Sequence, residues 1–216
     1  MHLVEWYFDF ISPYAYLQFK RLEAQGLLDE VRLTPILFAG VLKHWGQLGP
    51  AEIPPKRVFT YRQVCWMARS RGIAFKMPSA HPFNPLKLLR LVIHLKVERG
   101  AVARLFEFVW RDGFLPDDAD AWNGLLREFS LDSDSAAACL DDPGVKAQLK
   151  SNTDCAIAAG VFGVPTIQIG THLFWGQDST DMALDFMRDP ASFASDDRVI
   201  ASLPTAAVRV AAVSMS

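Results

Sequence analysis

Ser12 and Pro13 join an apolar stretch rich in aromatic residues to a run of residues with helical spacing. Serine is favoured as a helix N-cap and proline in the first helical turn, so the pair is typical of a helix start. The same place can also bind an anion such as a thiolate, because the free N–H groups and the dipole of a helix N-terminus stabilise negative charge. Ser12 could donate a hydrogen bond to that anion. It is a poor nucleophile itself, since no histidine lies near it in the sequence to act as its base.

A second segment, VFGVPT, spans residues 161–166. It is either a turn before a strand that begins with proline or a loop with a cis Val164–Pro165 bond. The cis form would turn the N–H and C=O of Val164 outward, where they could pair with an extended, peptide-like ligand.

A third segment, FWGQD, precedes a sequence with helical spacing. Trp175 could belong to the hydrophobic core, and Gln177 and Asp178 could be simple helix caps. A carboxylate at a helix start could equally hold the ammonium group of a ligand. Each of the three segments leaves a structural and a functional interpretation open.

Composition excludes several classes of protein. The 216 residues are 50% hydrophobic, and 22 Lys and Arg face 24 Asp and Glu, so we expect a well-buried core and no nucleic-acid partner. No apolar run is long enough for a membrane span, and the N-terminus does not resemble a signal peptide, so we expect a cytoplasmic protein. Cys65, Cys139 and Cys155 are scattered without a C-x-x-C motif. They are expected to be buried thiols, with neither disulfides nor a metal site.

Hydrophobic periodicity predicts the elements that position these segments. A strand at 3–10, a helix that stops at Gly26 and a strand at 31–38 form a βαβ unit. A loop follows, and helical spacing then appears at 57–71, 85–99, 102–112, 119–129, 134–141 and 144–159. Two short strands around Gly170 and Thr171 and a last helix complete a ββα unit.

This order predicts an α/β protein with a thioredoxin-like βαβ/ββα topology and a large all-helical insertion between the two halves. The thioredoxin-like domain would comprise residues 1–40 and 160–190, with a connecting loop at 41–56 and the helical insertion at 57–159. Residues 191–216 have no clear period and are expected to form a loosely held tail.

Taken together, YFDFISPYAYL, GVFGVPT and FWGQD, in this order around a helical insertion, resemble the 2-hydroxychromene-2-carboxylate isomerase family. This family is glutathione-dependent and is related to kappa-class glutathione transferases and to the DsbA-like thioredoxin fold. The resemblance covers about residues 1–189 and implies that glutathione is the cofactor.

The resemblance assigns roles residue by residue. Ser12 would be catalytic and would donate to the glutathione sulfur, and Val164 and Pro165 would pair with the cysteinyl backbone. The γ-glutamyl end would lie against the segment formed by Trp175, Gly176, Gln177 and Asp178.

The substrate would contact Lys43, which is as readily a solvated surface lysine, and Asn84 in HPFNPLKLLRL. Two family asparagines are replaced here. Gln47 stands nearest to the first, and Glu52 near the second, where it would be a third substrate contact.

The implied reaction interconverts 2-hydroxychromene-2-carboxylate and trans-o-hydroxybenzylidenepyruvate by transient thiolate addition, in the breakdown of aromatic compounds. Trp45 and Phe83 are candidates for apolar walls. His81 is either a general acid or a loop histidine with a structural hydrogen bond. The partners would be a small aromatic carboxylate, glutathione and, as in kin, a second copy in a homodimer.

Two alternative functions stay open, and a third is disfavoured by the residues at the start of the first helix. A kappa-like glutathione transferase would share the glutathione site and act on another electrophile, and a non-catalytic thioredoxin-fold module would only bind. A thiol–disulfide oxidoreductase would need cysteines where Ser12 and Ala15 stand.

Overall fold

The computed structural model describes residues 3–203 of the chain. In chain order its strands and helices are β1 (Val4–Phe8), α1 (Pro13–Ala24), β2 (Val31–Pro35), α2 (Phe38–Trp45), α3 (Pro54–Ser70), α4 (Leu86–His94), α5 (Arg99–Trp110), α6 (Ala119–Glu128), α7 (Ser133–Asp141), α8 (Pro143–Ala158), β3 (Thr166–Ile169), β4 (His172–Trp175), α9 (Thr180–Arg188) and α10 (Ala194–Ser202). No helix among these residues is long and apolar enough to cross a membrane.

The four strands form one mixed sheet in the order β2-β1-β3-β4. β1 pairs in parallel with β2 and antiparallel with β3, and β4 completes an antiparallel hairpin with β3. The predicted βαβ and ββα halves therefore share a common sheet, and the predicted thioredoxin-like fold class with a helical insertion is confirmed. β1 lies in the middle, so its residues are buried on both faces and form an almost continuous apolar run.

An aromatic cluster joins the sheet to the inserted helices. The Trp6 and Phe8 rings stack with centroids 4.7 Å apart, and Phe106 of α5 lies 4.7 Å from Phe10 and 5.6 Å from Phe19. All five side chains are fully buried in one core. The insertion thus packs directly on the sheet, and its proposed limits at 57 and 159 stay a prediction.

The predicted loop at 41–56 is wrong in its secondary structure. It holds the end of α2, a 3-10 turn at Pro50–Glu52 and the start of α3. Glycine and proline suggested a loop, but here they lie at helix ends, where both are favoured. Gly46, at φ 63°, ends α2, and Pro54 begins α3. β2 is also shorter than expected, because Phe38 already starts α2.

The predicted helix at 85–99 is interrupted. α4 ends at His94, because Lys96 and Val97 adopt the left-handed region with φ of 56° and 54°. α5 then starts at Arg99.

Residues 191–202 of the expected tail are helical, although none of them is buried. A 3-10 turn at Pro190–Phe193 leads into α10, and the Phe193 ring packs edge-on against Phe186 with centroids 5.3 Å apart. Asp197 of α10 also lies within 3.2 Å of His172 Nε2. Residues 204–216 of the predicted tail lie outside the described residues.

The three cysteines are free thiols. Cys65 and Cys139 are half-buried and Cys155 is exposed, so the expectation of buried thiols is wrong for Cys155. Residues 3–203 contain no cluster of side chains suited to a metal ion.

Candidate functional site

The N-terminus of α1 is capped by Ser12. Its backbone is extended, with φ −92° and ψ 113°, and its Oγ accepts a hydrogen bond of 3.2 Å from the N–H of Ala15. The predicted helix start is therefore confirmed. The hydroxyl also faces another part of the chain, since it donates to the C=O of Val164 at 3.4 Å.

The Val164–Pro165 bond is cis, one of the two forms that the sequence left open. The C=O of Pro165 accepts a hydrogen bond of 2.8 Å from the N–H of Gly176, which places the third candidate segment beside the proline loop. The fully buried Gln18 of α1 holds the same segment, because its Nε2 donates to the C=O of Gly176 at 3.2 Å. The structure thus brings together three segments that are distant in the sequence.

Two aromatic side chains flank the proline loop. Trp175 is 52% exposed and packs against Phe162, with ring centroids 5.1 Å apart. A Cβ at Gly163 would lie 2.3 Å from the Trp175 Nε1, so only glycine allows the indole to approach the backbone this closely. On the other side, Trp45 Nε1 donates to the C=O of Val161 at 2.9 Å.

Gly176 shapes the turn that presents Asp178. Its φ of 89° and ψ of 157° lie in a region that is essentially restricted to glycine. A Cβ there would also lie 2.4 Å from the Asp178 Oδ1. Asp178 itself is exposed beside the loop.

Gln177 lies differently from its neighbours. Its side chain is buried, and its Oε1 accepts a hydrogen bond of 2.6 Å from Arg71. Its Nε2 lies 3.8 Å from the sulfur of Met67. The side chain therefore ties the segment to α3 and points into the protein.

Arg71 was missed by the sequence reasoning. It caps the C-terminus of α3 and brings an exposed guanidinium group to Gln177. Burial and the nearby Arg21 lower the pKa of Arg71 from its usual value. No local signal could have found it, because 106 residues separate it from Gln177.

The three predicted substrate contacts are spread over other elements. Lys43 is exposed in the last turn of α2. Glu52 Oε1 accepts a hydrogen bond of 2.7 Å from the N–H of Gly49, and Asn84 Oδ1 accepts one of 3.0 Å from the N–H of Leu86. Glu52 and Asn84 therefore cap local turns. Within residues 3–203, no hydrogen bond or ion pair joins any of the three to the Ser12 site.

Asp9 is a second residue that the sequence reasoning missed. It is completely buried at the end of β1, with Oδ1 accepting from the N–H of Ile11 at 3.1 Å and Oδ2 from the N–H of Phe38 at 2.9 Å. Burial raises the pKa of Asp9 to about 7, although the N–H groups of Phe38, Ile11 and Phe10 oppose the shift. A carboxylate between two phenylalanines was the available signal.

His81 is bonded within the protein through both ring nitrogens. Nε2 lies 2.8 Å from the C=O of Ile11 and must carry the proton, and Nδ1 lies 2.9 Å from the Tyr61 hydroxyl. Burial lowers the pKa of His81 from its usual value. Of the two roles that the sequence left open, this geometry favours the structural one.

We expect the ionisation of Asp9 to oppose folding at neutral pH. Because its pKa is raised from 3.8 to about 7, its contribution to stability is present below about pH 4 and is lost as the pH rises to 7. The free energy of unfolding of the wild type, relative to Asp9→Asn, should fall over that range by on the order of 4 kcal/mol. Urea unfolding at a series of pH values measures this difference. A flat Asp9 curve would contradict the expectation.

Comparisons with known proteins agree with this architecture. The model of the DSBA-like thioredoxin domain matches residues 3–188. A 2-hydroxychromene-2-carboxylate isomerase from Pseudomonas putida is 28% identical over 191 residues, which cover 82% of this chain and 89% of that protein. Glutathione S-transferase kappa 2 from Caenorhabditis elegans is 27% identical over 216 residues, with 87% and 92% covered.

A solved structure of 2-hydroxychromene-2-carboxylate isomerase superposes with a TM-score of 0.74 at 24% identity, covering 90% of this chain and 98% of that one. These similarities confirm the resemblance that the three sequence segments indicated. The match over residues 3–188 shows that the chain belongs to the family of DSBA-like thioredoxin domains.

Proposed function

We propose that the protein is a glutathione-dependent isomerase that interconverts 2-hydroxychromene-2-carboxylate and trans-o-hydroxybenzylidenepyruvate. The observation that carries the proposal is the Ser12 hydroxyl at the N-terminus of α1, which faces Val164 of the cis-proline loop at 3.4 Å. A hydroxyl at a helix N-terminus can stabilise a thiolate without reacting with it. The names of the relatives support the same chemistry.

The residues around Ser12 fit a bound glutathione. Val164 would pair with the cysteinyl backbone beside Pro165. Asp178 is exposed and suited to the ammonium group of the γ-glutamyl end. The guanidinium of Arg71, held by Gln177, is suited to the α-carboxylate of the same end. Opposite charges at one end of the site match a zwitterion.

Bound glutathione would supply a thiolate that adds to the unsaturated carbonyl of the ring-opened substrate, so that the double bond becomes single and can rotate before the thiolate leaves and the double bond forms again. Ser12 would lower the thiol pKa by donating to the sulfur. Lys43 would hold the substrate carboxylate, and the exposed rings of Trp45 and Trp175 would line an apolar wall. Glu52 and Asn84 stay weaker candidates for substrate contacts, because each already bonds a backbone N–H.

A kappa-like transferase is the second candidate, supported by the relative named glutathione S-transferase kappa 2. It would use the same glutathione site with another electrophile. A non-catalytic binding module would take up glutathione without turnover. A cytoplasmic homodimer is part of the proposal, and the exposed Val58, Phe59 and Trp66 of α3 are consistent with contact to a second copy.

Calorimetric titration with glutathione, followed by an absorbance assay on 2-hydroxychromene-2-carboxylate, tests the function. We expect glutathione uptake and isomerisation that stops when glutathione is omitted. Turnover of chlorodinitrobenzene without isomerisation would favour the transferase. No uptake of glutathione would overturn both, and uptake with no turnover of either compound would favour the binding module.

Ser12→Ala should raise the pKa of the bound glutathione thiol and lower turnover, because the donor to the sulfur is lost. The free energy of unfolding should fall by only about 1 kcal/mol, because the N-cap is lost. A pH titration of the thiolate absorbance measures the thiol pKa, and urea unfolding measures the loss of stability. Asp118→Ala is a matched control, since it removes the N-cap of α6, where Asp118 Oδ1 accepts from the N–H of Ala121 at 3.1 Å. Equal thiol pKa values in Ser12→Ala and wild type would contradict the role of Ser12.

Arg71→Gln should weaken glutathione binding about tenfold, because a charge-assisted hydrogen bond to the γ-glutamyl carboxylate is lost. N-acetylcysteinylglycine lacks that carboxylate, so its affinity should be the same for variant and wild type. The exposed Arg69→Gln, on the same helix, controls for the loss of positive charge. Titration calorimetry with both ligands checks this, and equal losses for Arg71→Gln and Arg69→Gln would refute the assignment.

A further inference from the structure

Ile11, the residue before Ser12, has both of its backbone polar groups held by titratable side chains. Its N–H donates to Asp9 Oδ1 at 3.1 Å, and its C=O accepts from His81 Nε2 at 2.8 Å. Asp9 is completely buried, and His81 is half-buried. Because its N–H and its C=O are both hydrogen-bonded to side chains, the backbone of Ile11 has little freedom to move.

The neighbouring backbone groups are bonded as well. The C=O of Phe10 accepts a hydrogen bond of 2.8 Å from Trp110 Nε1, and the N–H of Ser12 donates to the C=O of Asp9 at 3.1 Å. The turn that leads into α1 is thus held by the side chains of Asp9, His81 and Trp110. Two of the three come from the helical insertion.

The same carboxylate also fixes α2. Asp9 Oδ2 accepts from the N–H of Phe38 at 2.9 Å, at the start of the helix that carries Lys43 and Trp45. One buried side chain therefore sets the position of the thiolate donor and that of the helix with the proposed substrate contact.

We propose that Asp9 and His81 are positioning residues, which hold the Ile11 peptide so that the Ser12 hydroxyl points toward Val164 and the thiol of a bound glutathione. The proposal rests on the function proposed for Ser12. Small displacements of a donor matter, because a misplacement of about 1 Å can lower a rate about a hundredfold. Apolar side chains would fill the same space but would leave the N–H and C=O of Ile11 unbonded.

Few polar groups face the side chains of Asp9 and His81. Burial raises the pKa of Asp9, and the N–H groups of Phe38, Ile11 and Phe10 oppose that shift. No charged side chain among the described residues contributes to it. Tyr61 faces Nδ1 of His81, whose pKa burial lowers. Protonation of Asp9 would place a donor on one of the two oxygens that accept from Ile11 and Phe38 and weaken that hydrogen bond, so the geometry described here fits the carboxylate best.

The test compares His81→Leu with His81→Gln, because the glutamine amide can replace the Nε2 donor and leucine cannot. Asp9→Asn keeps one acceptor and loses the other. We expect His81→Leu and Asp9→Asn to raise the bound thiol pKa and to lower kcat about tenfold, with little change in the Kd for glutathione, and His81→Gln to resemble the wild type.

Tyr16→Phe is the control for a general loss of stability. It removes a partly buried hydrogen bond of 2.7 Å to the C=O of Ala74, away from Ile11, and should leave the thiol pKa unchanged. A raised thiol pKa in this control, or an unchanged one in both His81→Leu and Asp9→Asn, would overturn the proposal. A wild type that takes up no glutathione would overturn the proposed function together with it.

A measurement on the wild type keeps the proposal falsifiable if the variants do not fold. The amide NMR signals of Ile11, Ser12 and Phe38 should titrate with one common midpoint, that of Asp9, because the side chain or backbone of Asp9 bonds all three N–H groups. Independent midpoints, or amide signals that do not move while the Asp9 carboxyl group titrates, would overturn the coupling.

Discussion

A buried turn must bond its backbone polar groups to the protein, because water cannot reach them. The turn at residues 9–12 meets this requirement with Asp9 from the end of β1, His81 from the segment before α4 and Trp110 from α5. The helical insertion therefore does more than cover the sheet. It supplies two of the three side chains that hold the turn from which α1 and Ser12 begin.

A second set of hydrogen bonds organises the candidate site. Ser12 meets Val164, Pro165 meets Gly176, and Gln18 of α1 reaches back to Gly176, so the α1 N-terminus and the ββα half are joined at one place. The partial positive charge of the α1 N-terminus lies at Ser12, and the exposed Asp178 and Arg71 supply one charge of each sign near Gly176 and Gln177. That arrangement supports our proposal that a zwitterionic thiol peptide binds here.

Proteins with this fold can perform different chemistry, and the side chains at the start of α1 decide which one is possible. A disulfide oxidoreductase needs thiols at the first and fourth positions of this start. Here the positions hold Ser12, whose hydroxyl can donate to a sulfur anion, and Ala15, so no disulfide can form between them. In the proposed isomerase the thiol comes from glutathione, so the protein itself only has to position and activate that thiol.

The sequence by itself determined the features that depend on near neighbours. The N-cap at Ser12, the hairpin at Gly170, and the order of the four strands and of all described helices except α2 and α10 followed from local propensity and periodicity. The fold class could therefore be predicted, and so could the three segments that meet at the candidate site.

Only the tertiary structure decided the features that depend on distant partners. α2 starts where Asp9, 29 residues earlier, bonds the N–H of Phe38, and Gln177 is turned inward by Arg71, 106 residues away. The helical tail likewise depends on contacts of Phe193 with Phe186. A hydrogen bond between such distant residues leaves no periodic trace in the sequence, because its geometry exists only once the chain has folded.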